Sequence, residues 1–568
     1  MSDKQRFIED LLGRMTLDEK IGQCLTLEFC GTMVHPYVVE YVRDFHCAGL
    51  RITPHIYTAE PYANRLKKGG EVEQRLSPYA TPAVYAGLLN QVQDVAIGTR
   101  LGIPLYFVGD QEGDFSQDYC RGGVNLLPSQ MALAASADAD FAYRCYYAIA
   151  RQQRAAGICW LHSPVLDVNT NPANPEINTR AFSDDAATVA KFGLALMRGF
   201  RDAGVVATGK HFPGRGDSAV DVHFSIDICK AGRKRLDEVE LAPYRELIAA
   251  GLPAIMTAHT IYEAIDPKMP ASVSRAIVTD LLRKELGFKG VITTDAIGMA
   301  GVISRFSCYG EAAAAALAAG NDLVLAKGSP ENIPDCVAWI KRYIDDGRIP
   351  MAELDDHVRR VLGIKWDFEL FSSPKVNCAG AEAAIRDRET IRLSHQAAER
   401  SAVVVRDRKK FLPVRPDAKI FYTDQHNKDW QQKAEDVWYR SHMGPQFLRK
   451  HFSPANVRSW ECKLNLTAED EQQVLAGAAW ADVVVVHSLY WRGNPTNSDL
   501  ARKIIATGKP VIVLAASPFR ESVAIDEADC LIVTFGSVPR VIENAAAIIA
   551  GKGDAGGTWP LKGYTLGK

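Results

Sequence analysis

The 568-residue chain lacks several features that would define its class at once. Its 66 basic and 68 acidic residues give a net charge of only −2, so nothing points to nucleic acid or an anionic membrane as a partner. No apolar run is long enough to span a bilayer, and the first residues contain no apolar core of a signal peptide. The sequence therefore predicts a protein without membrane association.

The 12 cysteines are scattered, with no Cys-x-x-Cys motif and no Cys/His cluster at zinc spacing. Several of them, such as Cys24, Cys159 and Cys530, lie in apolar runs, which is typical of buried, reduced thiols. We therefore expect a cytoplasmic protein and no metal site. No Gly-rich phosphate-binding fingerprint opens the C-terminal part of the chain, so no cofactor is expected either.

The first two-thirds of the chain alternates short apolar runs with amphipathic stretches. The amphipathic stretches 185–203, 237–250 and 274–286 predict helices, because each is followed by a glycine that can end a helix. Eight β/α units favour a TIM-type (β/α)8 barrel over residues 1–372, although the pattern also fits a doubly wound open sheet. The predicted strands are 22–29, 48–53, 104–109, 158–168, 205–210, 254–259, 290–295 and 323–326.

A second, smaller domain is predicted after a boundary near Pro374, with 373–388 as the linker and 389–568 as the domain. Five further apolar runs alternate there with helical segments, which is typical of an αβα sandwich. The polar stretch 56–81 is long for a βα connection and predicts an excursion over the mouth of the barrel.

A barrel enzyme should carry its functional residues at the C-terminal ends of its strands. Ionisable residues stand at each predicted strand end, although a buried charge costs several kcal/mol unless it is paired or solvated in a site. They are Glu28, Arg51, Asp110, Asp167, Lys210 with His211, His259, Asp295 and Lys327.

Two of these strand ends offer complementary chemistry. The loop 210–223 is rich in glycine and proline and contains Asp221 and His223, a pair close enough for proton transfer. Asp295 ends a β-branched run, where it could be a nucleophile or simply a helix N-cap. A proton donor facing a carboxylate nucleophile is the equipment for cleaving a glycosidic bond with retention.

The motifs that carry these residues resemble those of glycoside hydrolase family 3 over nearly the whole chain. The loop 210–223 resembles the Asp-His loop of the β-N-acetylglucosaminidase branch, with Arg215 in place of a histidine and Val222 in place of a serine. Segment 110–113 resembles the Asp-x-Glu-Gly loop of the family, and Asp114 replaces the second glycine of the Glu-Gly-Gly that follows in it. The similar segments are 15–23, 110–113, 167–169, 180–182, 210–223, 294–299 and 557–561.

The resemblance implies that Asp295 is the nucleophile, that His223 is the general acid/base and that Asp221 orients His223. It also implies sugar contacts from Asp110, Arg180, Lys210 and His211, with His259 and Arg215 as further candidates. Simpler structural roles stay open at this point: an internal salt bridge between Lys210 and Asp110, a core position for His259, and a solvent-facing position for Arg215.

These residues predict a retaining exo-β-glycosidase that acts as a β-N-acetylhexosaminidase. The expected substrate is a small N-acetylglucosaminide, an oligosaccharide or a muropeptide, and a homodimer is possible. The alternatives are a β-glucosidase or β-xylosidase of the same family and a catalytically silent sugar-binding protein. A Schiff-base aldolase built on Lys210 is disfavoured, because flanking acids and histidines indicate a polar sugar site rather than a lysine of depressed pKa.

Overall fold

The computed structural model of the protein describes residues 1–55, 79–120, 122–425, 443–490, 496–520 and 522–566. Most of the excursion predicted over 56–81 therefore lies outside the described residues. Among the described residues, no helix is both long enough and apolar enough to cross a membrane.

Eight parallel strands form the barrel, in the order in which they follow one another along the chain. Strand β1 (Leu25–Cys30) pairs with β8 (Val324–Ala326), and a parallel bridge between Thr293 and Leu323 joins β7 (Val291–Thr294) to β8, so the sheet closes on itself. This confirms the predicted barrel and excludes the open sheet. The barrel strands are β1 (Leu25–Cys30), β2 (Gly49–Thr53), β3 (Tyr106–Gly109), β4 (Trp160–Leu161), β5 (Val206–Phe212), β6 (Ala254–Thr257), β7 (Val291–Thr294) and β8 (Val324–Ala326).

Helices cover the outside of the barrel, and the three predicted from amphipathic stretches are present. The first two helices begin with capping boxes, Ser2 with Gln5 and Thr16 with Glu19, which satisfy backbone N–H groups at the helix start. The α-helices of this part are Asp3–Arg14, Leu17–Gly22, Pro36–Arg43, Pro82–Ile97, Gln130–Ala135, Ala139–Ala155, Ala186–Asp202, Arg233–Arg235, Ala242–Ala249, Ala300–Ile303, Tyr309–Ala319, Ile333–Asp345 and Met351–Asp367. Leu236–Glu240 and Ala276–Glu285 are π-helical, and Asn178–Arg180, Ala271–Val273 and Pro330–Asn332 are 3₁₀ turns.

Large side chains fill the barrel from within. The Tyr106 and Trp160 rings contact each other in the interior, tilted by 48° with 4.6 Å between their centroids, and a Cβ on Gly49 would lie 2.3 Å from the Tyr106 ring. Gly49 is therefore required for the close packing of β2 on β3. Because the interior is packed, only the ends of the strands are left for binding.

A six-stranded sheet forms the second domain, with helices on both faces. Its strands are β9 (Val403–Asp407), β10 (Ile420–Gln425), β11 (Val457–Cys462), β12 (Val483–Ser488), β13 (Val511–Ala515) and β14 (Cys530–Val533). Their order is β9-β14-β13-β12-β10-β11, and only the β9–β14 pair is antiparallel. The helices are Met443–Leu448, Ala468–Trp480, Ser498–Ala506 and Pro539–Ile549, with a 3₁₀ turn at Pro454–Asn456.

The predicted αβα sandwich is thus confirmed, with one strand more than the five apolar runs indicated. The additional strand, β11, is an edge strand whose central side chains are partly exposed, so it contains no apolar run.

The segment between the two domains is folded and packs against the barrel. The predicted linker contains the helix Cys378–Ile385, which lies on the barrel: Asn125 Nδ2 donates to Ile385 O at 3.0 Å. A further helix, Arg388–Glu399, follows it. On the barrel side, Met131 and Ala135 pack into the apolar cluster of the sandwich, so the domains share a buried contact. The exact domain limits at 372 and 389 stay a prediction.

Candidate active site

The C-terminal ends of the barrel strands surround one polar cavity. Seven of the eight strands, all except β1, contribute a lining residue at or beside their C-terminal end, in line with the strand-end argument. The lining residues are Arg51, Asp110, His162, Glu176, Arg180, Lys210, His211, His223, Met256, Asp295, Ala296, Met299, Leu325 and Lys327.

A larger groove of about 740 Å³ lies at the other end of the barrel, against the first helix. Its floor is apolar, with Leu252, Phe288 and Ile364, and charged side chains on its rim, such as Lys4 with Asp367 at 2.5 Å, are already paired. It contains none of the residues predicted to act on substrate, so size alone does not locate the active site.

Asp295 directly follows β7 and lines the cavity. Its Oδ1 accepts from Ala296 N at 2.7 Å, and His211 Nε2 lies 3.8 Å from its Oδ2. The next helix, Ala300–Ile303, begins after Met299, so Asp295 is not its N-cap. Burial by itself would raise the pKa of Asp295, but the neighbouring histidines, His211 first among them, and the Ala296 N–H outweigh it and hold the pKa below its usual range. The side chain is a carboxylate near neutral pH, as a nucleophile must be.

His259 lies behind Asp295 and has both ring nitrogens engaged by protein atoms. Its Nδ1 is 2.8 Å from Ser272 Oγ and its Nε2 is 3.0 Å from Ala296 O. Burial lowers the pKa of His259 to about 4, so near neutral pH it is neutral and adds no charge beside Asp295. The sugar contact predicted for His259 has no support in this geometry, whereas a core role that braces the turn after Asp295 does.

Asp221 and His223 are in direct contact. His223 Nδ1 lies 2.7 Å from Asp221 Oδ1, and the backbone N–H of His223 donates to the same oxygen at 2.9 Å. This pairing fixes the ring orientation and favours the tautomer with hydrogen on Nδ1. The histidine also lines the cavity that contains Asp295, so a proton donor and a carboxylate meet at one place.

A buried ion-pair network lines the cavity at the C-terminal ends of β3 and β5. Lys210 Nζ lies 2.9 Å from Asp110 Oδ1 and 2.5 Å from Glu112 Oε1, and Arg180 donates to both oxygens of Glu112, at 2.7 and 3.0 Å. Burial opposes ionisation of Glu112, but Arg180 and Lys210 lower its pKa to about 2. Lys210 and Asp110 thus form the internal salt bridge considered from the sequence. Both residues also line the cavity, so the salt bridge does not exclude a contact with sugar.

His211 is held by a carboxylate of the neighbouring strand end. Its Nδ1 is 2.7 Å from Asp167 Oδ2, and its Nε2 is directed towards Arg180 Nη2 at 3.4 Å and Asp295 at 3.8 Å. Asp167 has no exposed surface, so it braces the ring and does not touch substrate.

Arg215 occupies neither of the positions considered from the sequence. Its side chain has no exposed surface, does not line the cavity, and is paired with Glu176. It therefore faces neither sugar nor water, and its partner Glu176 was not identified from the sequence as a site residue. Glu176 stands in a polar loop without strand or helix periodicity, so its only signal was the nearby Arg180.

The residues Glu176, Asp221 and His223 place ligand-type atoms within 4.8 Å of one another, the one such group of three or more among the described residues. Both oxygens of Glu176 already lie against guanidinium groups, of Arg180 and Arg215. Two adjacent cations disfavour a metal ion there.

Comparison with known proteins identifies the family. The model of the glycosyl hydrolase family 3 N-terminal domain matches residues 16–364, which include every strand of the barrel. The chain belongs to glycosyl hydrolase family 3. It is therefore a glycoside hydrolase, and the resemblance seen in its motifs is confirmed.

Relatives within glycosyl hydrolase family 3 extend the match to the sandwich. A "Beta-N-acetylglucosaminidase/beta-glucosidase" of Cellulomonas fimi is 27% identical over 535 residues, covering 89% of this chain and 92% of that protein. A "Beta-hexosaminidase" of Alkalilimnicola ehrlichii is 36% identical over 237 residues, covering 41% of this chain and 67% of that protein. A solved family 3 β-N-acetylglucosaminidase from Paenibacillus sp. str. FPU-7 superimposes with a TM-score of 0.83 at 28% identity, covering 96% of this chain and 99% of that one.

Proposed function

We propose that this protein is a retaining exo-β-N-acetylhexosaminidase that removes a terminal β-linked N-acetylglucosamine. The observation that carries the proposal is the meeting of an ionised Asp295 with the Asp221–His223 pair in one cavity at the strand ends. A catalytically silent sugar-binding protein would have no need of this combination.

In the first step, a carboxylate oxygen of Asp295 attacks the anomeric carbon while the bond from that carbon to the leaving oxygen breaks. His223, protonated and braced by Asp221, gives its proton to the leaving oxygen. In the second step, His223 takes a proton from water, and the hydroxide oxygen displaces Asp295 from the anomeric carbon. Two displacements retain the β configuration.

The remaining polar side chains of the cavity would hold the sugar. Lys210, Arg180 and His211 offer donors and Asp110 offers an acceptor to ring hydroxyls, and their mutual ion pairs fix them before the substrate arrives. Their convergence in a cavity lined from all around the barrel suits a terminal sugar rather than an internal one.

An apolar part of the cavity supports recognition of an N-acetyl group. Met256, Met299 and Leu325 line it and belong to one buried cluster. A methyl group is favourable there, while a lone hydroxyl would lose hydrogen bonds. The relatives named β-hexosaminidase support the same substrate.

β-Glucosidase activity is the second candidate, since the name of the Cellulomonas fimi relative includes it. A cytoplasmic location is also part of the proposal, because the cysteines are scattered along the chain and most of them are buried, as expected of thiols in a reducing compartment. A muropeptide substrate and a homodimer stay predictions.

The catalytic roles can be tested with nitrophenyl and alkyl β-glycosides. Asp295→Ala should lose at least about three orders of magnitude in kcat/KM, because the covalent route is lost, while its circular dichroism stays unchanged. Asp280→Ala, at an exposed acid on a barrel helix, is the matched control. Trapping with a 5-fluoro-N-acetylglucosaminyl fluoride should label the peptide that contains Asp295, and a label on another carboxylate would refute the assignment.

The acid/base role and the substrate are tested in the same series. His223→Ala should slow alkyl or sugar leaving groups far more than nitrophenolate, because only poor leaving groups need a proton. Equal losses of rate with both kinds of leaving group would mean that His223 binds the substrate or supports the site, and does not donate the proton. Wild-type kcat/KM should be higher for the N-acetylglucosaminide than for the glucoside or xyloside, and a preference for glucoside would favour the second candidate.

A further inference from the structure

Glu176 is a buried carboxylate in the wall of the proposed active site, with 1% of its side chain exposed. One of its oxygens, Oε1, lies 3.1 Å from Arg180 Nη1 and 3.4 Å from His223 Nδ1. The other, Oε2, accepts from Arg215 Nη2. The same carboxylate therefore touches the proposed acid/base, a proposed sugar contact and a buried arginine.

The backbone holds Glu176 in this place. Asn174 Oδ1 accepts from the backbone N–H groups of Glu176 and Ile177, at 3.0 and 2.8 Å, and Asn174 Nδ2 donates to Arg215 O at 3.0 Å. One asparagine thus ties the loop of Glu176 to the loop that carries Arg215 and His223. Their separation is set by hydrogen bonds and not by the reach of flexible side chains.

Two carboxylates face the same nitrogen of His223. Asp221 is the nearer, at 2.7 Å, and Glu176 lies at 3.4 Å. A negative charge within this range favours the protonated imidazole, and burial limits screening by salt. The charged and titratable groups near His223 in the described part of the chain include Asp221, Glu176 and Asp295, with His259 behind Asp295 and Arg180 and Arg215 behind Glu176.

Arg215 is the main counter-ion of Glu176. Arg180 already donates two hydrogen bonds to Glu112, whereas Arg215 has Glu176 as its carboxylate partner within ion-pair distance among the described residues. The Nε and Nη1 atoms of Arg215 are buried and have no hydrogen-bond partner there. Such an arginine is costly without its carboxylate, so the two charges depend on each other.

We propose that Glu176, held by Arg215, is a positioning residue that favours the protonated form of His223 and couples it to Arg180 on the sugar side. This rests on the proposed function, because it takes His223 as the acid/base. It also gives a physical role to the arginine at position 215, which serves the active site from behind its wall.

The test is the pH dependence of kcat/KM for N-acetylglucosaminides with poor leaving groups, from about pH 5 to about pH 9. In Glu176→Gln the basic limb should move down by about one pH unit, because one of two carboxylates facing the imidazolium is lost. Glu112→Gln is the matched control: it removes another buried carboxylate bound to Arg180, whose second ion-pair partner is Lys210. It should raise KM and leave the limb in place.

An unmoved limb in Glu176→Gln, or an equal shift in both variants, would overturn the inference, since a merely structural role lowers the rate at every pH. Glu176→Gln leaves the buried charge of Arg215 without its carboxylate and could therefore misfold. The double variant Glu176→Gln/Arg215→Gln avoids this problem, because it removes both buried charges and leaves two amides that can form a hydrogen bond. Its limb should return towards that of the wild type. A double variant with the full shift of the single one would refute the electrostatic coupling.

His223→Ala, measured alongside, separates this inference from the proposed function. If that variant keeps the wild-type basic limb, the assignment of the acid/base is wrong. If it loses the limb while Glu176→Gln does not move it, only the role of Glu176 fails.

Discussion

Lys365 offers a stability measurement whose sign and size follow from its surroundings. It lies in the helix Met351–Asp367 with no exposed surface, and its Nζ donates to Gln23 Oε1 at 2.7 Å. None of the ion pairs among the described residues includes it. Burial lowers the pKa of this lysine from 10.5 to about 7. At about 1.4 kcal/mol per unit, the buried charge costs the fold about 5 kcal/mol.

The sign follows from proton binding. Below about pH 7 both folded and unfolded states hold the proton, and the full cost is present. Between the folded and unfolded pKa values the unfolded state keeps a proton that the folded state has lost, so stability rises with pH. Lys365→Met should therefore stabilise the protein at neutral pH by about 2 to 4 kcal/mol, after about 1 to 3 kcal/mol is subtracted for the unpaired Gln23 oxygen.

Urea unfolding followed by tryptophan fluorescence at about pH 7, 8 and 9 measures this difference. The advantage of Lys365→Met should shrink by about 2 kcal/mol between pH 7 and 9, as the wild type regains stability. Lys234→Met, at a lysine whose side chain is 87% exposed, is the control and should show no such trend. A gap that stays constant with pH would refute the claim that a buried charge is its source.

Two further predictions concern buried acids and use the same unfolding assay. Burial raises the pKa of Asp114 to about 7, so the folded state keeps a proton that the unfolded state releases above about pH 4, and wild-type stability should fall by about 2 to 3 kcal/mol from pH 5 to pH 8 on this account. Asp114→Asn should remove that part of the slope, and an unchanged slope would contradict the prediction. Lys210→Met leaves Asp110 and Glu112 with one cation fewer, so it should cost about 3 to 5 kcal/mol at pH 8 and less at pH 5, where a carboxyl group can take up a proton. Equal losses at both pH values would count against the ion-pair account.

Asp114 also shows how the two domains meet. Its carboxylate accepts from Ser537 N at 2.8 Å, just before the last helix of the sandwich, Pro539–Ile549. Nearby, Asn178 Nδ2 donates to Ser522 Oγ at 3.0 Å and accepts at its Oδ1 from Ser517 Oγ at 2.8 Å. These sandwich contacts reach the loop between Glu176 and Arg180, so the second domain supports one wall of the cavity.

The strand positions were accessible from the sequence because parallel strands are buried on both faces and therefore read as apolar runs. This worked for all eight barrel strands and for five of the six in the sandwich. It failed for Val457–Cys462, which lies at an edge and keeps exposed side chains. The same reading of apolar runs predicted too long a fourth barrel strand, 158–168. Pairing there is limited to Trp160–Leu161 and a bridge at Val165.

Local sequence determined which ionisable residues would stand at the mouth of the barrel, Asp295 and Lys210 among them, because a strand end and a Gly/Pro-rich loop are properties of neighbouring residues. Only the tertiary structure decided how the charges pair. Glu176 meets Arg215 across 39 residues and Glu112 meets Arg180 across 68. Such pairs form where loops from different strands come together, and no spacing along the chain encodes that meeting. The same packing moved His259 and Arg215 behind the cavity wall, since burial is set by what covers a residue and not by its place at a strand end.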